Sequence, residues 1–151
     1  MKLQYELTGT GWSRAVVEAD GNTVNLTASY LSDPLSDMAA GAIALLQGSK
    51  EVRFSFDEEP GEYRWIIIAE EAEIIRVTIL EFQELWGNEP DERGKTLLDT
   101  RTTRREFASE VLEVLNHLKA TLGEAAYKEQ WVQSDFPTEK HDILKSLLAS
   151  K

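Results

Sequence analysis

Residues 52–82 constrain this chain more than any other stretch. Val52, Phe54 and Phe56 alternate with Arg53, Ser55 and Asp57, the period-two pattern of a half-buried strand. Tyr63–Ala69 and Ile74–Phe82 repeat the pattern with a high density of β-branched residues, which favours strand over helix. The turns between them are acidic: Asp57-Glu58-Glu59-Pro60-Gly61-Glu62, then Glu70-Glu71-Ala72-Glu73. Pro60-Gly61 fits the central positions of a type II turn. Three antiparallel strands result. Tyr63, Trp65 and Ile67 on one face, with Ile66 and Ile68 on the other, make the middle strand central and covered on both sides.

The up-down-up course sorts the acids into two sets. The 57–62 turn and the segment after Phe82, with Glu84, Glu89, Asp91 and Glu92, fall at one end of the sheet. Glu70, Glu71 and Glu73 fall at the other, about 20 Å away.

The remaining elements follow from local signals. Lys2–Thr8 alternates, and Arg14–Ala19 with Thr23–Tyr30 form a hairpin about Asp20-Gly21. In the second arm Val24, Leu26, Ala28 and Tyr30 share a face. Asp33-Pro34 starts a helix that Gly48 closes. Residues 83–101 read as long and irregular, with a short strand at Lys95–Asp99. Trp86 within them suits either a lid over the core or an exposed anchor for a partner. Thr103-Arg104-Arg105-Glu106 reads as a capping box, opening a helix to about Leu122 that Gly123 ends. A short helix over Glu124–Trp131 and a last one over Thr138–Ala149 complete the chain. The expected fold is α+β and a single domain over 1–151. It is one antiparallel sheet of six or seven strands, in the order βββα-βββ(β)-αα, with the helices packed on one side.

Charge is unevenly placed. The 151 residues carry a net charge of −11. Residues 1–92 hold 6 Lys+Arg against 18 Asp+Glu, whereas residues 93–151 hold 10 against 9. An acidic β-rich part repels nucleic acid and anionic membranes and attracts basic partners, and it also serves solubility. With 0 cysteines, disulfides and thiol chemistry are excluded, which fits a cytoplasmic protein. No apolar run is long enough to span a membrane.

Motifs for chemistry are few. His117 and His141 lack metal-binding spacing, Ser13 and Ser36 lack a nucleophile elbow, and Gly9-Thr10-Gly11 is too short to cradle a phosphate. Arg104 and Arg105 suit a solvated first turn, with an anion site at the helix N-terminus as the alternative. No cofactor, metal or catalytic residue is expected, and the chain reads as a binding protein, not an enzyme.

One resemblance adds to this. Ser29-Tyr30-Leu31 before a helix, Val52-Arg53-Phe54-Ser55-Phe56, Glu59-Pro60-Gly61-Glu62-Tyr63-Arg64-Trp65 and Ile75–Glu84 together resemble the immunity proteins of bacterial toxin systems. These include contact-dependent growth inhibition, and their fold is similar to the Whirly domain. The likeness covers about residues 30–84 and rests on pattern. It implies a bacterial protein that neutralises a toxin domain by binding it; separately, an edge strand that the sequence does not show to be covered leaves a monomer or weak homodimer as the expected state. It carries over no functional residue, because such proteins meet different toxins with different surfaces. Whirly proteins proper bind single-stranded DNA, which the acidity here argues against. The expected partner is a basic, nuclease-type toxin. The expected contacts are Asp57, Glu58, Glu59, Glu62, Glu84, Glu89, Asp91 and Glu92, with Trp86 as anchor. The alternative is a small molecule or peptide held between sheet and helices, in a pocket lined by Tyr63, Trp65 or Trp131.

Overall fold

A computed structural model describes residues 1–84 and 86–150. Strands β1 (Lys2–Gly9), β2 (Trp12–Ala19) and β3 (Asn22–Ser29) precede helix α1 (Pro34–Leu46). Strands β4 (Glu51–Asp57), β5 (Glu62–Ala69), β6 (Ile74–Phe82) and β7 (Lys95–Thr103) follow. Helices α2 (Arg104–Thr121), α3 (Glu124–Trp131) and α4 (Thr138–Ala149) close the chain. The class is α+β, as the pattern implied.

The strands do not form the single sheet of six or seven that the sequence implies. There are two antiparallel sheets, β1-β2-β3 and β4-β5-β6-β7. Physically, the inner faces of both sheets must reach one core. Leu3, Tyr5, Val17 and Leu26 from the first sheet join Phe56, Trp65, Ile67 and Ile79 from the second. They enclose Leu35, Met38 and Leu45 of α1 and Phe107, Val111 and Leu115 of α2. A continuous sheet would have to extend past these helices, whereas two sheets wrap them. Helix α1 packs on β4, α2 on β1 and β7, and α4 on α1 and α2.

The sheets are joined by side chains instead of a ladder. The Ser29 hydroxyl donates to the Asp57 carbonyl (3.1 Å), and the Asp57 N–H donates to Ser32 Oγ (2.9 Å). At the β2–β3 turn, the Thr100 hydroxyl of β7 donates to Asp20 Oδ2 (2.6 Å).

Local signals held with three exceptions. Asp33 Oδ1 accepts from the Ser36 N–H and caps α1, and Thr103 Oγ1 accepts from the Glu106 N–H and caps α2. The Glu106 carboxylate, however, accepts from the Thr102 hydroxyl (2.7 Å), so half of the expected capping box is replaced. The 57–62 turn is not type II. Its Glu59–Pro60 bond is cis, and Gly61 lies outside the positive-φ region. Gly61 is needed for close approach instead, since a Cβ there would meet the Phe82 carbonyl oxygen at 2.3 Å. Finally, the fourth strand of the second sheet is longer than Lys95–Asp99 and runs directly into α2.

The outer face of β5 is covered only at one end. Ile66, Leu80 and Phe82 form a small second cluster. Ile68, toward the other end, is exposed. The segment after β6 folds back over the covered end. Arg64 lies 4.1 Å over the Phe82 ring and donates to the Glu89 carbonyl (2.8 Å) and Asp91 Oδ1 (2.8 Å).

Arg104 is neither solvated nor an anion site. It is buried, donating Nε to the Ala72 carbonyl and Nη1 to those of Leu45 and Ser49, each at 2.7 Å. One guanidinium thus satisfies the end of α1 and the β5–β6 turn together. Arg104→Met keeps the apolar stem and leaves these carbonyls without their donor. It should lower unfolding stability by roughly 2–4 kcal/mol in a urea titration. Arg93→Met, at an exposed position, should shift the midpoint negligibly.

Candidate partner-binding surface

The nine residues expected to meet a partner lie on the 57–62 turn and the segment after β6. Glu62 pairs with Phe82 in the β5–β6 register, so strand geometry itself brings these two stretches together. The structure then divides them by use.

Glu62 and Asp91 are structural. Glu62 is buried; it accepts from the Ser55 hydroxyl at 2.7 Å and faces Arg64 at 3.2 Å. Asp91 bridges Arg64 (2.8 Å) and Arg53. Glu89 faces Arg93 at 3.8 Å, and its carbonyl receives Arg64. These groups pin the segment to the sheet, so their charges are already compensated. Among the described residues, Asp57, Glu58, Glu59, Glu84 and Glu92 have no Lys or Arg partner within salt-bridge distance.

Asp57 is the best defined of the uncompensated acids. Burial holds its carboxyl above the usual carboxylate range; the Trp86 indole beside it favours the charged form, and Glu62 opposes it. Trp86 is not a lid. It is 68% exposed, the most open large apolar side chain described, with φ at 60° in the left-handed region. Glu58 lies beside the Tyr63 hydroxyl, whose pKa burial and this neighbour push up to about 12.

Sequence reasoning missed two acids that belong here. Burial raises Asp33. Asp37 is pushed up to about 6 by burial, then by Asp33, with Asp57 adding to it and Lys140 opposing. Both lie at the start of α1, which the Ser29-to-Ser32 connection delivers to Asp57. Tyr30 does not share the inner face of β3 as the alternation implies. It sits beyond the end of β3 and is 44% exposed, because Ser29 ends the strand before the alternation reaches it.

The expected pocket between sheet and helices is absent from the three main hollows, none of which is lined by Tyr63, Trp65 or Trp131. Trp65 and Trp131 are fully buried in the core. The largest of these three, of about 1010 Å³, is a trough between α1 and the α3–α4 region, with Asp33, Ser36, Ile43, Lys128, Phe136 and Lys140 on its walls. His141 is buried, with Nε2 2.7 Å from Asn116 Oδ1, and His117 lies apart from it on the exposed side of α2. Among the described residues, no group of three His, Cys, Asp or Glu is placed to hold a metal ion, and no helix is long and apolar enough to cross a membrane.

Comparison with known proteins finds no matching family model, no matching curated protein and no matching solved structure.

The raised Asp37 gives a pH-dependent test. Its folded-state pKa of about 6 lies above the unfolded value of about 3.8. Its contribution is therefore fully favourable below the unfolded value and is lost as pH rises through 6. Asp37→Asn should raise the thermal midpoint at pH 7.5 and give no gain at pH 3. A gain of equal size at both values would show that charge is not the cause.

Proposed function

We propose that this chain is a non-enzymatic binding protein, an immunity protein that neutralises a basic, nuclease-type bacterial toxin through its acidic sheet end. One observation carries the reading: an exposed Trp86 stands beside Asp57, a half-buried carboxylate whose charged form is disfavoured and which no cation of the described chain compensates. A basic partner would supply that cation. On the same turn and the segment after β6, Glu58, Glu59, Glu84 and Glu92 add a field that speeds encounter. The aromatic surface is the part that can be dried on contact, and so governs residence time. The same charges disfavour nucleic acid and anionic membranes. A toxin that uses Lys and Arg to grip nucleic acid would lose that surface on docking here.

The reading of a ligand held between sheet and helices finds less support, since Trp65 and Trp131 are sealed in the core and Tyr63 lines none of the three hollows.

The test is to look for a gene beside its own that encodes a basic toxin domain and, where one is found, to co-express the two; its absence counts against the reading. The wild-type chain should restore growth, and failure to do so overturns the immunity reading. With the purified pair, Glu58→Lys/Glu59→Lys should slow association roughly tenfold at low salt and little at high salt. Glu71→Lys/Glu73→Lys, the same charge change at the opposite sheet end, should leave the rate nearly unchanged. Equal slowing by both pairs would mean that net charge, not this surface, governs encounter.

A further inference from the structure

Among the described residues, the exposed large apolar side chains are Trp12, Tyr30, Ile68, Trp86, Val132 and Ile143. Three of these six are aromatic, and all three connect to one strand end. Trp12 faces Ser29 in the β2–β3 register. Tyr30 follows Ser29 in the chain. The Ser29 hydroxyl donates to the Asp57 carbonyl, and the Asp57 carboxylate lies beside Trp86. The stretches of chain that carry Trp12 and Tyr30, from the first sheet, and Trp86, from the segment after β6, therefore meet at Asp57.

The Trp12–Tyr30 half is braced from beneath. The Tyr30 ring lies on Gly11, where a Cβ would come within 2.9 Å of it, and Gly11 has φ +73°. Only glycine suits both conditions. The Gly11 N–H donates to the Gln130 carbonyl of α3 at 2.9 Å, fixing the β1–β2 turn. These rings are exposed on a held backbone, which lowers the entropy lost when they are covered.

The chemistry that fits aromatic faces next to uncompensated carboxylates is a guanidinium. It stacks flat on an aromatic ring while its edge donates in pairs to a carboxylate; an ammonium is a hydrated point charge that does neither as well. The chain's own nearby arginines are committed elsewhere, Arg64 to Glu62 and Asp91, Arg53 to Glu51 and Asp91. We propose that Trp12, Tyr30 and Trp86, with Asp57 and Glu58, form an arginine-reading surface that spans both sheets and takes an arginine-bearing loop of a protein partner. This rests on the binding reading above and extends it: selection of arginine over lysine, and a second half of the surface on the first sheet.

The experiment uses hexa-arginine and hexa-lysine peptides with the full chain. Readout is tryptophan fluorescence, to which Trp12 and Trp86 respond because Trp65 and Trp131 are fully buried. Hexa-arginine should bind roughly threefold or more tighter than hexa-lysine at equal salt. Trp12→Ser and Tyr30→Ser should each weaken hexa-arginine binding roughly two- to fivefold. Tyr30→Phe should retain it, because the ring face and not the hydroxyl is used, and a folded Tyr30→Phe guards against simple loss of structure. If the two peptides bind alike and the Trp12 and Tyr30 variants change nothing, while Glu58→Lys/Glu59→Lys still weakens both, the surface works by charge alone. That sinks the arginine inference and leaves the binding reading standing. If neither peptide binds, both fall.

Discussion

The backbone of Asp57 is held between two serine hydroxyls, and the arrangement of the whole molecule passes through that point. Its carbonyl accepts from Ser29 at the end of β3, and its N–H donates to Ser32 just before α1. Where a seven-stranded sheet would have a ladder between β3 and β4, this protein has these two bonds. Each contributes only about 1 kcal/mol net, but an unmet partner in a buried joint costs about 1–3 kcal/mol. The geometry is therefore enforced more by the cost of breaking it than by the gain of making it. At the β2–β3 turn, Asp20 and Thr100 make the corresponding tie, so the sheets are clasped around the α1–α2 core at two separate points.

The same joint explains how carboxylates are divided. A sheet end that collects many acids must compensate some of them to fold at all. Arg64 and Arg53 do so for Glu62 and Asp91, and they fasten the segment after β6 in the process. The acids left over, Asp57, Glu58, Glu59, Glu84 and Glu92, lie on the same turn and segment but within salt-bridge distance of no Lys or Arg among the described residues. Asp33, Asp37 and Asp57 all sit at raised pKa. This end of the molecule thus keeps an electrostatic tension that folding does not relieve and that a cationic partner would.

Strands and helices were legible because alternation, helical spacing and caps are local. Asp33-Pro34, Asp20-Gly21 and Gly123 each did what their chemistry implies. The division into two sheets was not legible, because it depends on Ser29 and Ser32 finding Asp57, a contact between residues 25–28 positions apart with no periodic signal. The acidic end was found from the up-down-up course of β4–β6. Which acids were compensated was hidden, since Glu62 and Glu59 look alike in sequence and differ only in which points at Arg64. Arg104 misled for the same reason: a helix-start arginine reads as solvent-facing until three carbonyls from other elements are placed around it. Trp12 gave one signal, an aromatic next to a turn glycine, but nothing local tied it to Asp57 across the sheet boundary.

The most direct measurement is hydroxyl-radical footprinting of the chain, free and in complex with a purified basic toxin domain of the kind proposed as its partner. Trp86 should be readily oxidised in the free protein and strongly protected in the complex, with Ile68 on the open face of the second sheet unchanged. A complex in which Trp86 remains as reactive as in the free chain, while protection appears on the α1–α4 trough or around Ile68, would contradict the assignment of the acidic, aromatic sheet end as the binding surface.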